Sequence, residues 1–94
     1  MRKLQLFYLE SCPYCHNAKR ALAELSRENP AYRDVEIEWI EESRQSALAA
    51  QYDYYYVPTV FMENKKLYEA SPGESYEDCK ENLRRALNTC IFNK

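Results

Sequence analysis

Cys12 and Cys15 stand three positions apart, with Pro13 and Tyr14 between them. On the first turn of a helix that spacing puts the two Cα atoms roughly 5–6 Å apart, inside the range a disulfide accepts. The pair can then close and open with little backbone movement, as a reversible two-electron thiol–disulfide couple requires. The same spacing also supplies half of a zinc site, or arises by chance in a core. Zinc needs a second ligand pair of similar spacing, and Cys79, Cys90 and His16 do not provide one. Redox chemistry is the reading that uses both cysteines.

The helix start assigns the roles. Unpaired N–H groups and the positive end of the helix dipole meet at Cys12, and both favour an anionic sulfur. Pro13 suits the first helical position, where its missing N–H has no intrahelical partner. Cys12 is read as the nucleophile and Cys15, one turn deeper, as the resolving thiol. His16 adds a positive charge nearby when protonated, or is simply a solvated side chain. Glu10 could accept a proton during resolution, yet its charge opposes thiolate formation.

Tyr56-Val57-Pro58-Thr59 is the second stretch with chemical content. Proline inside a strand removes a ladder hydrogen bond, so it belongs at an edge or a strand entry. A trans proline at a strand entry is the commoner state. A cis Val57–Pro58 bond would leave neighbouring backbone groups unpaired, ready for an extended peptide or thiol ligand beside Cys12.

The elements around these motifs follow from periodicity. Leu4 to Leu9 is nearly all apolar, as a central strand covered on both faces would be. Pro13 to about Arg27 has helical spacing, with Cys15, Ala18, Leu22 and Leu25 on its inner face, and Asn29-Pro30 stops it. Val35, Ile37 and Trp39 alternate with Glu36 and Glu38, predicting a second strand whose glutamates form its polar face. Strand, helix, strand makes a right-handed βαβ unit. Ser43 or Ser46 would cap a short helix running to about Tyr52. Val57–Met62 and Leu67–Ala70 read as a hairpin across residues 63–66. Ser75 with Asp78 resembles a capping box for a last helix over Tyr76–Ile91. On that helix Cys79, Leu83, Ala86, Leu87 and Cys90 share a stripe. Cys79 and Cys90 would lie about 16 Å apart, too far to bridge, and read as core thiols.

A chain of 94 residues with 30% charged and 46% hydrophobic residues suits one globular domain, residues 1–94. The net charge of −2 gives no electrostatic case for nucleic acid. Short apolar runs exclude a spanning helix. Met1-Arg2-Lys3 leads directly into the first strand, without the apolar stretch of a signal peptide, so a cytoplasmic, reducing setting is expected. A lone glycine excludes Gly-rich phosphate loops. Nine tyrosines are many for this length. Tyr14, Tyr52, Tyr54, Tyr55 and Tyr56 could present aromatic surface to a protein substrate, although ordinary packing accounts for tyrosines too.

Cys12-Pro13-Tyr14-Cys15 after a strand, then Tyr56-Val57-Pro58-Thr59, a hairpin, Gly73 and a final helix resemble the thioredoxin/glutaredoxin superfamily over nearly the whole chain. The resemblance implies an α/β thioredoxin fold, a four-stranded mixed sheet flanked by three helices in the order β-α-β-α-β-β-α. It also implies a cis Pro58 packed beside the two cysteines. The Cys-Pro-Tyr-Cys quartet is that of glutaredoxins. Carried over, Pro13, Tyr14, Val57, Pro58, Gly73 and Ser75 form the active-site loop and substrate-binding surface. Two departures bear on glutathione: Leu9 stands where glutaredoxins carry a lysine, and Tyr76 where they carry an aspartate. Thioredoxin's buried acid is replaced by Leu6. The implied activity is reduction of protein or glutathione mixed disulfides. No cofactor is bound, glutathione is a candidate co-substrate, and a separate reductase regenerates a monomeric enzyme. The alternatives are an iron–sulfur carrier, joined through Cys12 of two chains and two glutathiones, and a non-catalytic adaptor.

Overall fold

The computed structural model describes residues 3–92; Met1 and Arg2, read above as leading into the first strand, lie outside the described residues. In chain order the elements are β1 (Lys3–Tyr8), α1 (Pro13–Glu28), a 3-10 turn (Pro30–Asp34) and β2 (Glu36–Glu41). A single helical turn α2 (Ser46–Ala49), β3 (Thr59–Met62), β4 (Lys65–Glu69) and α3 (Tyr76–Phe92) follow. The strands form one mixed sheet in the order β2-β1-β3-β4. β1 runs parallel to β2 and antiparallel to β3, and β3 pairs antiparallel with β4.

β1 is covered on both faces, as its apolar run predicts. Leu4 and Leu6 face α1 and α3, joining Ala18, Ala21, Leu22 and Leu25 of the first helix with Leu83, Ala86 and Leu87 of the last. Phe7 points the other way. It packs with Ile40 and Phe61 beneath Leu48, Tyr52 and Tyr54, with ring centroids 4.8 Å from Tyr52 and 5.8 Å from Phe61. Cys79 and Cys90 are buried in the first of these layers, as their stripe predicts.

The ends of the helices have local causes. Asn29, held extended ahead of Pro30, closes α1 by donating its N–H to Leu25 O at 3.0 Å, and its side chain accepts from Ala31 N. Ser75 Oγ accepts from Asp78 N at 3.0 Å and caps α3.

Several boundaries differ from expectation. β2 is an edge strand, so its faces are covered unevenly. Trp39, expected inward, is 37% exposed; it lies edge-on to Tyr8, with Lys19 over both rings. Ile40, on the face shared with Glu36 and Glu38, is completely buried because the residues after β2 fold back over it. Neither serine caps α2. Gln45 occupies the N-cap without a side-chain bond, and Ser43 turns to Glu41 instead. Residues 57 and 58 precede β3 rather than opening it, and β4 starts at Lys65. A left-handed Glu63, φ 58°, tightens that hairpin, and a bulge between Val60 and Phe61 shifts the register.

These burial assignments are testable by urea unfolding. Ile40→Ala should cost about 2–5 kcal/mol, the usual range for emptying a closed core site. Glu36→Ala, on the same strand and exposed, should stay within about 0.5 kcal/mol.

Candidate active site

Three chain segments meet beyond the carboxyl end of β1: the turn into α1, the end of β2, and the loop before β3. Cys12 is the N-cap residue of α1, extended at φ −86° and ψ 120°, with Pro13 just inside the helix. Its side chain makes no capping bond. Instead the Cys12 thiol faces the Val57 carbonyl at 3.6 Å. Cys15 lies beside it, 1% exposed, and burial pushes its thiol up to about 12, with the neighbouring Cys12 adding to the rise. The accessible sulfur and the shielded one are therefore those assigned from the helix position.

The Val57–Pro58 bond is cis. Pro58 is buried and its carbonyl accepts from Ala70 N at 3.0 Å, just beyond the end of the β3–β4 ladder. Among the described residues the Val57 N–H has no hydrogen-bond partner. That leaves one backbone donor beside Cys12 for a ligand in extended conformation.

The loop ahead of Val57 is held by a residue that periodicity did not single out. Glu69 on β4 accepts from Tyr55 N at 2.6 Å and Tyr56 N at 2.9 Å, while its other oxygen pairs with Lys66 at 2.7 Å. Thr59 Oγ1 closes the same loop by donating to Tyr56 O at 2.6 Å. A glutamate ending a strand beside a tyrosine-rich loop is the only hint the sequence offers.

Tyr14 reaches across to the last loop, where its hydroxyl accepts from Gly73 N at 2.8 Å. Gly73 needs its φ of +81° for this; the space where a Cβ would stand is open. Tyr14, Tyr56, Val57, Ala70, Ser71 and Pro72 line a pocket of about 190 Å³. No lining residue is charged. Of the residues carried over from the family pattern, Pro13, Tyr14, Val57, Pro58 and Gly73 thus gather around Cys12 or this pocket, whereas the Ser75 hydroxyl is engaged in capping α3. Tyr55 is 87% exposed and lines, with Tyr52 and Tyr54, a separate cleft over the sheet rather than this pocket.

His16 is a solvent-exposed side chain on the first turn of α1, in keeping with the solvated reading. Its Nε2–H donates to Glu10 O at 2.7 Å. Glu41, which the sequence reading passed over, is buried at the end of β2 and accepts from Ser43 N, Ser43 Oγ, Arg44 N and Glu10 N. Among the described residues no three His, Cys, Asp or Glu side chains gather as metal ligands do. No helix there is long and apolar enough to cross a membrane.

Comparison with known proteins places the chain in a family. The glutaredoxin family model matches residues 4–67, a span that holds both cysteines and the cis proline. The chain belongs to the glutaredoxin family. Within the wider thioredoxin/glutaredoxin superfamily this glutaredoxin-family chain is also similar to a thioredoxin of Methanocaldococcus jannaschii. The two are 36% identical over 58 residues, 62% of this chain and 66% of that protein, so the match spans just under two thirds of the relative. The fold is shared with thioredoxin 1 of Thermosipho africanus, at TM-score 0.60 and 21% identity over 98% of this chain and 99% of that one. It is shared too with Trxlp of Edwardsiella tarda, at TM-score 0.59 and 20% identity over 86% and 80%.

Glu41 gives the site a pH signature. Ser43 and the Glu10 amide, helped by the other donors, hold its carboxyl down to about 2 from the ordinary 4.5. The folded state thus favours the charged form. Its stabilisation is complete above the unfolded value and is lost as pH falls from 4.5 towards 2. Glu41→Gln should be less stable than the wild type at neutral pH, with the gap closing through that window in acid denaturation.

Proposed function

We propose that this glutaredoxin-family protein is a thiol–disulfide oxidoreductase that reduces disulfides of proteins, or their mixed disulfides with glutathione, through Cys12 and Cys15. The observation that carries the reading is the asymmetry of the pair. An accessible sulfur sits at a helix N-terminus against the Val57 carbonyl, and a buried thiol waits beside it.

The steps follow from that asymmetry. A substrate segment lies extended along Val57, pairing with its N–H and placing a flanking side chain in the pocket between Tyr14, Tyr56 and Pro72. Cys12 thiolate attacks the nearer substrate sulfur in line with the S–S bond. A Cys12–substrate disulfide forms and the distal sulfur leaves as a thiolate, to be protonated. Cys15 then gives up its proton and attacks Cys12 Sγ. The mixed disulfide breaks, the second substrate thiolate leaves, and the protein holds a Cys12–Cys15 disulfide. Two electrons have passed to the substrate. A low-potential thiol, either glutathione or a dithiol protein, must return them. The high pKa of Cys15 suits this order, since a thiol that stays protonated does not compete with Cys12 for the first attack.

The uncharged pocket and Leu9 favour protein segments over glutathione, whose two carboxylates would find no lysine there. Turnover assays separate the outcomes. Cys12→Ser should abolish reduction of every disulfide substrate, and Cys15→Ser should accumulate a mixed disulfide visible by mass. Full activity in Cys12→Ser would end the proposal. A glutathionylated peptide should turn over more slowly than a protein disulfide; the reverse would make glutathione the principal partner.

A further inference from the structure

We propose that Glu41 and His16 are positioning residues for the Cys12–Cys15 pair, acting by gripping the two peptide groups of Glu10 from opposite sides. The inference rests on the oxidoreductase reading and names residues outside its cysteine and proline motifs.

The turn that delivers Cys12 to the helix is closed by Cys12 N donating to Leu9 O at 3.1 Å, so Glu10 and Ser11 are its central residues. Such a two-residue tip is free to rock unless its peptide groups are held. Here both sides of Glu10 are held. Its N–H donates to Glu41 Oε2 at 3.1 Å, and its carbonyl accepts from His16 Nε2 at 2.7 Å. The two contacts have different origins. Glu41 Oε1 alone satisfies the local turn, accepting from Ser43 N at 2.7 Å and Arg44 N at 3.3 Å. The second oxygen is not needed there, and it crosses to a peptide 31 residues away in sequence. His16 follows Cys15 directly, so its bond back to Glu10 closes a loop of chain containing both cysteines. The Arg44–Glu10 ion pair on the same turn joins side chains 71% and 53% exposed. It contributes little, which leaves the backbone contacts as the grip.

Closing a disulfide depends on the effective concentration of one thiol at the other. Fixing the turn confines Cys12 near Cys15 and raises that concentration. Cys12 O keeps its bonds from Cys15 N and His16 N when either grip is released, but the chain entering Cys12 then samples a wider range, so Cys12 Sγ spends less time at bonding geometry to Cys15 and the oxidised form loses ground.

The test is the equilibrium between the full chain and glutathione buffers of graded thiol-to-disulfide ratio at neutral pH. The protein is trapped by alkylation and read by mass. His16→Leu removes the donor; His16→Gln keeps one near the position of Nε2. Oxidation of the pair should become ~5–10-fold less favourable in His16→Leu and in Glu41→Ala, where tenfold is about 30 mV. His16→Gln should remain within about twofold of the wild type, on the same effective-concentration argument. The inference is overturned if His16→Leu and Glu41→Ala, each melting cooperatively, keep the wild-type constant. It is equally overturned if His16→Gln falls as far as His16→Leu, since ring bulk rather than the N–H then matters. Should Glu41→Ala fail to fold, the two His16 variants decide. A wild-type chain forming no Cys12–Cys15 disulfide overturns the oxidoreductase reading together with this inference. A wild-type chain that forms it, with unmoved variants, overturns this inference alone.

Discussion

Burial of both faces of β1 is the constraint on which the rest of the molecule depends. A strand with Leu4 and Leu6 on one side and Phe7 on the other needs cover on each, supplied by α1 and α3 on the first and by the segment from α2 to Val57 on the second. It also needs a neighbouring strand at each edge. Parallel pairing with β2 forces the intervening chain to cross over the sheet, and α1 is that crossover. Its N-terminus therefore lies beyond the carboxyl end of β1. The antiparallel partner β3 begins at the same end, so Val57 and Pro58 arrive opposite Cys12. The reactive pair stands at this junction because of how β1 is buried, and the chemistry of Cys12 and Cys15 uses a position the packing has already made.

Side chains outside the junction then hold it. Three carboxylates divide the work. Glu41 holds the turn before Cys12, Glu69 holds the loop before Val57, and Glu74 accepts from Ser71 N while receiving the Tyr68 hydroxyl. Each satisfies backbone N–H groups at the end of the sheet, where no strand partner remains to do so. The loops around the site are thus tied to the strands through glutamates, and Tyr14 ties the loop holding Gly73 to the active-site helix.

Much of this was legible in the sequence, and the parts that were not have physical reasons. Helical stripes on α1 and α3 and the apolar run of β1 report burial directly, so the layers and the order of elements along the chain followed. The cysteine spacing located the helix N-terminus, and the family resemblance supplied the cis proline. Trp39 misled because alternation tells which residues share a face but not whether that face is covered at a sheet edge. Ile40 was overlooked because its cover comes from Leu48, Tyr52 and neighbouring residues of an irregular segment with no period to read. Glu41 and Glu69 escaped for a related reason. A carboxylate that accepts from distant backbone N–H groups leaves no mark in composition or spacing. His16 was read as a nearby charge or a solvated side chain; it is exposed, and its bond back to the chain that precedes the pair was in neither reading.

Gly73 is the one glycine in 94 residues, and its left-handed φ serves the loop facing Tyr14. The rest of the chain does without glycine where an average protein has about 7%. Each glycine replaced by a residue that fits the same native backbone removes conformations from the unfolded ensemble, with an effect of about 0.4–1 kcal/mol per site. This chain accordingly loses less backbone entropy on folding than its length suggests. A modest pair of core layers can then hold an open, uncharged pocket and an accessible thiol at the end of its sheet.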